Sequence, residues 1–440
     1  MALQSLAAPL AAGLQPWKTW VKAQSGGSRA VKRTILSFLA AVCLSACALD
    51  PQTHGLPEKD MRHTLGDGGV SDFYSYSGPI PSPGQLLRTQ ALTARQSVPG
   101  AAEAIRLLYS STDGLADTGP VVVSGALFLP SGPPPRDGWP LLLWSHGTVG
   151  IADKCAPSWT GYVPFHDQHL SQWLAQGYAI VASDYQGLGT RGTHPYLATR
   201  PAAYSNLDVL RAVQSAEFPV SDRIVVAGQS QGAGAAIATA GYAPDYAPEL
   251  DIRAVIATGV PFFTPDALLA VQQARPRDVV DPMLGYNFLA LTLIEQIDPS
   301  FTVASYVSQS ALPLARGVAE ICNRDMRDKI TEAGLTYDTT FRVAPTEPLR
   351  QAFEHMQFPT LSLSVPIFVG VGADDRDTPP RMQAGFVKAA CGSGATVEAH
   401  LFEGYDHLTV LNRSQSMSKS FAARAFRGEG ISGNCADLPF

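Results

Sequence analysis

The sequence predicts an α/β fold: a mostly parallel sheet with helices on both faces and a helical segment inserted before the last two strands. Three observations predict it. Continuous apolar runs such as Trp139-Pro-Leu-Leu-Leu-Trp144 suit strands buried on both faces. From there to Thr258 strand and helix patterns alternate, which calls for a parallel sheet covered on both sides. The rhythm then breaks at Pro261 and resumes only at Val365.

Taken in order, residues 105–109 and 121–129 read as two antiparallel strands joined by a turn at Asp113-Gly114, with structure expected from Leu86. After the strand at 139–144, residues 166–176 read as a helix and 178–183 as a strand. Residues 203–216 read as a helix with Leu207, Leu210 and Val213 on one face. A β-branched strand from Arg223 runs through Gly228-Gln229-Ser230-Gln231-Gly232 into small, helix-favouring residues, and 252–258 supplies another strand. Residues 262–361 hold apolar helical pieces, such as 267–271 and 286–297, and are expected to cap the carboxyl ends of the strands. A strand at 365–371, a helix at 381–390, a strand at 396–402 and a closing helix to Phe426 complete the fold. The core is thus expected in two parts, 86–261 and 362–440, around the cap.

Of the 440 residues 16% are charged, and the net charge is −6. No basic run follows residue 33, so nucleic acid is not expected as a partner. Arg29, Lys32 and Arg33 precede an apolar stretch, 34–44, too short to span a bilayer as a stable helix. Leu44-Ser45-Ala46-Cys47 looks like a bacterial lipobox, so residues 1–47 are expected to be an export signal, with Cys47 lipidated and anchoring the chain to the cell envelope. Ordinary cleavage near Ala46 or Ala48 is the rival reading, and would leave a secreted protein. Residues 1–28 add nothing to that signal, which leaves a start downstream open. Residues 48–85 are polar and punctuated by Gly and Pro, and are expected to be a tether. With Cys43 and Cys47 set aside, Cys155, Cys322, Cys391 and Cys435 suggest two disulfides, with three connectivities open.

The chemistry is concentrated at strand ends. G-x-S-x-G between a strand and a helix is the nucleophile elbow of α/β-hydrolases, which makes Ser230 the candidate nucleophile; the plainer reading is a serine capping a helix. A serine needs a base, and the base needs a partner to fix its tautomer. His407 follows the strand at 396–402, and Asp374, Asp375 and Asp377 follow the strand at 365–371, in the chain order acid then histidine. From the residues alone any of the three aspartates could reach the histidine, the other two being solvated loop charges. The amides of Gln231 and Thr148, the latter in Ser145-His146-Gly147-Thr148, are the candidate oxyanion donors, with Gly147 close behind. His54 and His63 fall in the tether, His166 and His169 on an expected surface helix, and His400 inside a strand. None has a second ligand at metal-site spacing, so no metal is expected, and no cofactor.

Together these pieces resemble the secretory lipase family of α/β-hydrolases. The matching stretches are 145–148, Cys155-Ala-Pro-Ser158, Asp184-Tyr-Gln-Gly-Leu-Gly189, His194-Pro-Tyr-Leu197, 208–212, 228–232, 372–380 and Gly404-Tyr-Asp-His407. The resemblance implies Ser230 as nucleophile, Asp375 as acid and His407 as base, and disulfides Cys155 with Cys322 and Cys391 with Cys435. It implies structural roles for 184–186 and 194–196. The expected activity is hydrolysis of carboxylic esters, from small molecules or lipids, through an acyl-enzyme. On composition, Phe262, Phe263, Leu268 and Leu269 of the cap are expected to line the acyl site. A serine peptidase or amidase on the same fold and a non-catalytic envelope binding lipoprotein are the alternatives. Oligomeric state is not written in the sequence.

Overall fold

Alternate side chains of one apolar strand go to opposite faces, and that period of two builds both layers of this protein. The computed structural model describes residues 69–440, apart from 266, 269, 270 and 272–274. Among the described residues, strands β1 (Leu86–Ala91), β2 (Glu103–Thr112), β3 (Pro120–Leu129), β4 (Trp139–Ser145), β5 (Ala179–Ser183), β6 (Val220–Gln229), β7 (Asp251–Thr258), β8 (Ile367–Gly372) and β9 (Val397–Phe402) form a single sheet. Their order is β1-β2-β3-β5-β4-β6-β7-β8-β9. The pairs β1/β2, β2/β3 and β3/β5 are antiparallel, and every pair from β5/β4 to β8/β9 is parallel.

In β4, Leu141 and Leu143 enter one apolar core while Leu142 and Trp144 enter the other. Helix α1 (Pro164–Leu174) covers the second face through Leu170, Trp173 and Leu174. The first face is covered by α2 (Thr199–Gln214) and α3 (Gln231–Tyr246). The order reverses around β4, which lies between β5 and β6; such a switch leaves a crevice at the carboxyl ends of the strands, where open α/β sheets bind ligands.

Between β7 and β8 the inserted segment carries α4 (Leu284–Ile297), α5 (Asn323–Glu332) and α6 (Thr346–His355), with no named strand among its described residues. Leu289, Leu293, Ile330 and Ala352 form a separate apolar core with Ile151, Tyr196 and Ala198 of the sheet's loops. After β8, helix α7 (Pro380–Gly392) returns to the first face and α8 (Gln415–Phe426) closes the second. Disulfides join Cys155 to Cys322 and Cys391 to Cys435, the pairing implied by the family resemblance.

Two expectations are corrected. The chain meets the fold well before Leu86: Phe73 and Tyr74 are buried, and with Trp159 they enclose the Arg106 guanidinium at 5.3–5.6 Å from each ring centroid, a cation–π cage. Residues 70–85 therefore belong to the domain. His166 and His169 are buried rather than on the surface, because α1 turns them onto Trp144, with ring centroids 5.4 Å away in each case. The export signal, Cys47 and the tether as far as residue 68 lie outside the described residues. No helix among the described residues is long and apolar enough to cross a membrane.

Candidate active site

Ser230 sits between β6 and α3 at φ 60° and ψ −125°, a backbone that side chains other than glycine rarely adopt. Two glycines make the turn possible. A Cβ at Gly228 would stand 2.0 Å from the Gly232 carbonyl oxygen, and one at Gly232 would stand 1.9 Å from the Ser145 carbonyl oxygen. Gln231 opens α3, where the first amides of a helix have no intrahelical acceptor and the helix dipole favours negative charge.

The Gln231 side chain is itself anchored. Its Nε2 donates to Nε2 of His194 at 2.9 Å, while His194 Nδ1 lies 3.0 Å from the Gln186 carbonyl. A carbonyl only accepts, so the His194 proton is on Nδ1 and Nε2 receives from Gln231. Burial drives the His194 pKa down to about 4, which keeps the ring neutral. On the other side of the serine, a Cβ on Gly147 would lie 3.5 Å from Ser230 Cβ, so this loop runs directly against the elbow. Thr148 Oγ1 is 3.1 Å from the Tyr196 hydroxyl, and the Thr148 carbonyl accepts from Asn323 Nδ2 at 3.1 Å.

His407 is buried, with Nδ1 2.8 Å from Asp375 Oδ2. The carboxylate is held from all sides. Oδ1 accepts from the amides of Asp377 and Thr378, each at 2.9 Å; Oδ2 accepts from Thr378 Oγ1 and Gln383 Nε2, each at 3.0 Å. Burial alone would lower the proton affinity of His407. The hydrogen bond and charge of Asp375, with Asp377 adding, outweigh it and the opposing Arg327, so the His407 pKa is raised. With a carboxylate accepting at Nδ1, that nitrogen carries the proton and Nε2 keeps a lone pair.

The histidine and the serine both adjoin the end of β7. Ser230 N donates to the Thr258 carbonyl at 2.9 Å, and the next residue, Gly259, lies so close under the imidazole that a Cβ there would be 2.7 Å from His407 Cε1. Ser230, Gln231, Thr148 and Thr378 line a cavity of about 740 Å³ that extends beneath the inserted segment to Phe263, Leu268 and Phe353.

The structure thus brings together Ser230, Gln231, Thr148, Asp375, His407, Phe263 and Leu268. Phe262 is elsewhere: its ring packs on Phe358 and Phe386 at 6.3 and 5.8 Å, because it alternates with Phe263 and faces α7, which corrects its expected place in the acyl site. Leu269 lies outside the described residues. Asp374 is exposed, as expected of a spare loop charge. Asp377 is not solvated, another correction: it is only 18% exposed, lines the cavity, and faces Arg327 and the Tyr286 hydroxyl of the inserted segment, each at 3.5 Å. Sequence reasoning missed Gln383, Thr378, Asn323 and Gln229. Thr378 and Gln229 stood in recognised motifs, but as unassigned positions; Gln383, from the following helix, and Asn323, 175 residues from Thr148, act by contacts that no spacing announces.

A mostly parallel sheet whose strand order reverses at its centre, with a strained serine between strand and helix and a carboxylate-held histidine at a neighbouring strand end, defines an α/β-hydrolase. The family model described as secretory lipase matches residues 156–433, and this chain belongs to that family of ester hydrolases. It is 25% identical over 433 residues to lipase A of Moesziomyces aphidis, covering 90% of this chain and 87% of that one. Among solved structures it is similar to lipase A of Candida antarctica, with a TM-score of 0.67, 19% identity, and 87% and 89% of the two chains covered. It is also similar to LipA, a rice cell wall degrading esterase from Xanthomonas oryzae, with a TM-score of 0.62, 19% identity, and 79% and 98% covered.

Proposed function

We propose that this chain hydrolyses carboxylic esters through a serine acyl-enzyme. The observation that carries the reading is the Asp375-bound His407 beside a serine held at φ 60°. His407 Nε2 takes the Ser230 proton as Oγ attacks the ester carbonyl, and the amides of Gln231 and Thr148 receive the oxyanion. Collapse of the tetrahedral adduct breaks the ester C–O bond, and the imidazolium returns its proton to the departing alcohol. Water, deprotonated by the same histidine, then adds to the acyl-enzyme and releases the carboxylic acid and free serine. The apolar reach of the cavity under Phe263, Leu268 and Phe353 supports lipid-like acyl groups.

The test compares a p-nitrophenyl acyl ester with a peptide p-nitroanilide at matched concentrations, in the native chain and in Ser230→Ala. Ester turnover that Ser230→Ala abolishes, together with loss of labelling by an active-site phosphonate, is the expected result. Faster anilide cleavage would make it a peptidase; labelling that persists without Ser230 would remove the mechanism.

Export and anchoring belong to the same reading. The basic and apolar run ending in Leu44-Ser45-Ala46-Cys47 supports a lipid at Cys47, and two disulfides suit an oxidising compartment. Metabolic labelling with an alkynyl fatty acid, retained in the native chain and lost in Cys47→Ser, is the check.

A further inference from the structure

The loop after β4 is braced by the inserted segment. Residues 322 and 323 of the inserted segment run alongside it: Gly150 pairs with Cys322 in an isolated antiparallel bridge, and Asn323 N donates to the Val149 carbonyl at 2.8 Å. The approach depends on Gly150, at φ +114°, where a Cβ would lie 3.0 Å from both Cys322 Cα and the Ile321 carbonyl oxygen. A few residues along, Cys155 is bonded to Cys322, so the two segments are joined covalently across 167 residues of chain.

Within this junction one side chain reaches further. Asn323 Nδ2 lies 3.1 Å from the carbonyl oxygen of Thr148, and because that oxygen only accepts, the amine end of the carboxamide faces it. The carboxamide also neighbours the Tyr286 hydroxyl, and the bond it donates to Thr148 is the one that reaches the loop after β4. Thr148 is then gripped at both polar groups other than its amide, the carbonyl by Asn323 and the hydroxyl by Tyr196. Gly147, immediately before it, is wedged against the elbow, where a Cβ would be 3.0 Å from Gln229 Oε1. Thr148 itself lines the cavity, and among the described residues no hydrogen bond from its amide is seen.

We propose that Asn323 is a positioning residue for the oxyanion hole: its carboxamide, delivered by the inserted segment, holds the Thr148 main chain so that the amide points at the developing oxyanion. The inference rests on the serine mechanism above. It gives the inserted segment a second task. Besides covering the acyl group, it completes the site, and an enzyme lacking residues 322 and 323 would have one oxyanion donor left unaligned. A donor contributes fully only when it is already aimed at the place where charge appears, so its alignment acts on the transition state and not on the bound ester.

The test uses the full chain with Asn323→Asp, which is isosteric but presents only acceptors to the carbonyl, and Asn323→Ser, whose hydroxyl keeps a polar helix start but falls short of Thr148. Ester turnover is measured per active site titrated with a fluorophosphonate, so that misfolded protein does not count. We expect kcat per titrated site to fall about 10- to 100-fold in both variants, with KM changed far less. Affinity for a trifluoromethyl ketone, whose adduct carries the oxyanion, should fall in parallel with kcat. An unchanged kcat per titrated site, including the case in which activity falls only because fewer sites titrate, would overturn the role. Failure of the underlying mechanism looks different: Ser230→Ala would then still turn over ester, whatever the Asn323 variants do.

Discussion

The side-chain amide of Gln229 donates to the main-chain carbonyl of His407 at 3.0 Å, joining the residue before the nucleophile to the loop that carries the base, 178 positions away. Gln229 is 2% exposed, so water cannot replace it when it is cut back. Gln229→Leu, similar in volume, leaves the His407 carbonyl without that donor and should cost about 1–3 kcal/mol of stability. Because the same bond sets the position of the histidine, kcat should fall more than KM rises. Urea unfolding and steady-state kinetics on one preparation check both.

Activity should rise with pH through the ionisation of His407, since only the neutral ring accepts the Ser230 proton. Asp375 and Asp377 raise that ionisation against burial and Arg327, so the acid limb of kcat/KM should fall above the ordinary histidine value of about 6.5. Asp375→Asn should move the limb to lower pH and lower kcat by about 10³–10⁴-fold. Stability runs the other way. A histidine whose folded pKa is raised contributes fully below its unfolded pKa, and that contribution is lost as pH rises through the folded value. A pH–rate profile and a pH series of unfolding midpoints should therefore slope oppositely across this window.

Glycine at the elbow is a steric requirement that can be separated from backbone freedom. Gly232→Ala drives a methyl to 1.9 Å from the Ser145 carbonyl and should destabilise by at least about 3 kcal/mol, or prevent folding. Gly177 has φ +81°, but a methyl group added there would meet nothing within 4 Å. Gly177→Ala therefore faces only the left-handed backbone penalty, about 1–2 kcal/mol. Denaturation midpoints of the two variants, side by side, measure the difference.

The sheet was legible because its strands are apolar on both faces: Leu141 to Trp144 has no other reasonable destination, and the same is true of Ile224 to Ala227. The reactive residues were legible because each follows such a strand, which is where backbone leaves the core and side chains reach solvent. Choosing Asp375 among three aspartates needed the family resemblance. The geometry agrees: Asp375 alone of the three has its carboxylate on His407, while Asp374 is exposed and Asp377 turns to Arg327. Helix α1 misled because two histidines looked polar; against Trp144 they behave as aromatic core, and burial pushes the pKa of each down to about 3. The grip of Asn323 on Thr148 and of Gln383 on Asp375 could not be read from the chain. Both depend on where an insertion or a helix start comes to rest.

Removing the Cys155–Cys322 disulfide should affect catalysis more than removing Cys391–Cys435. Both loops are long, and each loss should cost about 2–5 kcal/mol. Cys391 and Cys435, however, tie α7 to the chain end, where Asn434 is bonded to β9, away from the cavity. Cys322 adjoins Asn323 and the loop bearing Thr148. At a temperature where both double serine variants are folded, Cys155→Ser with Cys322→Ser should lower kcat per titrated site, and Cys391→Ser with Cys435→Ser should leave it near the native value. Equal kcat in the two would separate the junction from the chemistry.

Phe262 and Phe263 are adjacent in sequence but face different surroundings, and this allows acyl selectivity to be told apart from stability. Phe263 lines the cavity and stacks on Phe353 with ring centroids 5.0 Å apart, whereas Phe262 is turned onto Phe358 and Phe386. A carboxylate in place of Phe263 must lose its hydration when a long acyl chain fills the space beside it, but can stay wet beside a short one. Phe263→Asp should therefore lower the ratio of kcat/KM for a long-chain to a short-chain p-nitrophenyl ester by about 10-fold. Phe262→Ala removes half-buried packing outside the cavity, so it should lower stability by about 2 kcal/mol and leave that ratio unchanged. An acyl-chain series on both variants, paired with their unfolding curves, is the measurement. Equal loss on long and short esters in Phe263→Asp would mean that acyl chains do not run along this wall.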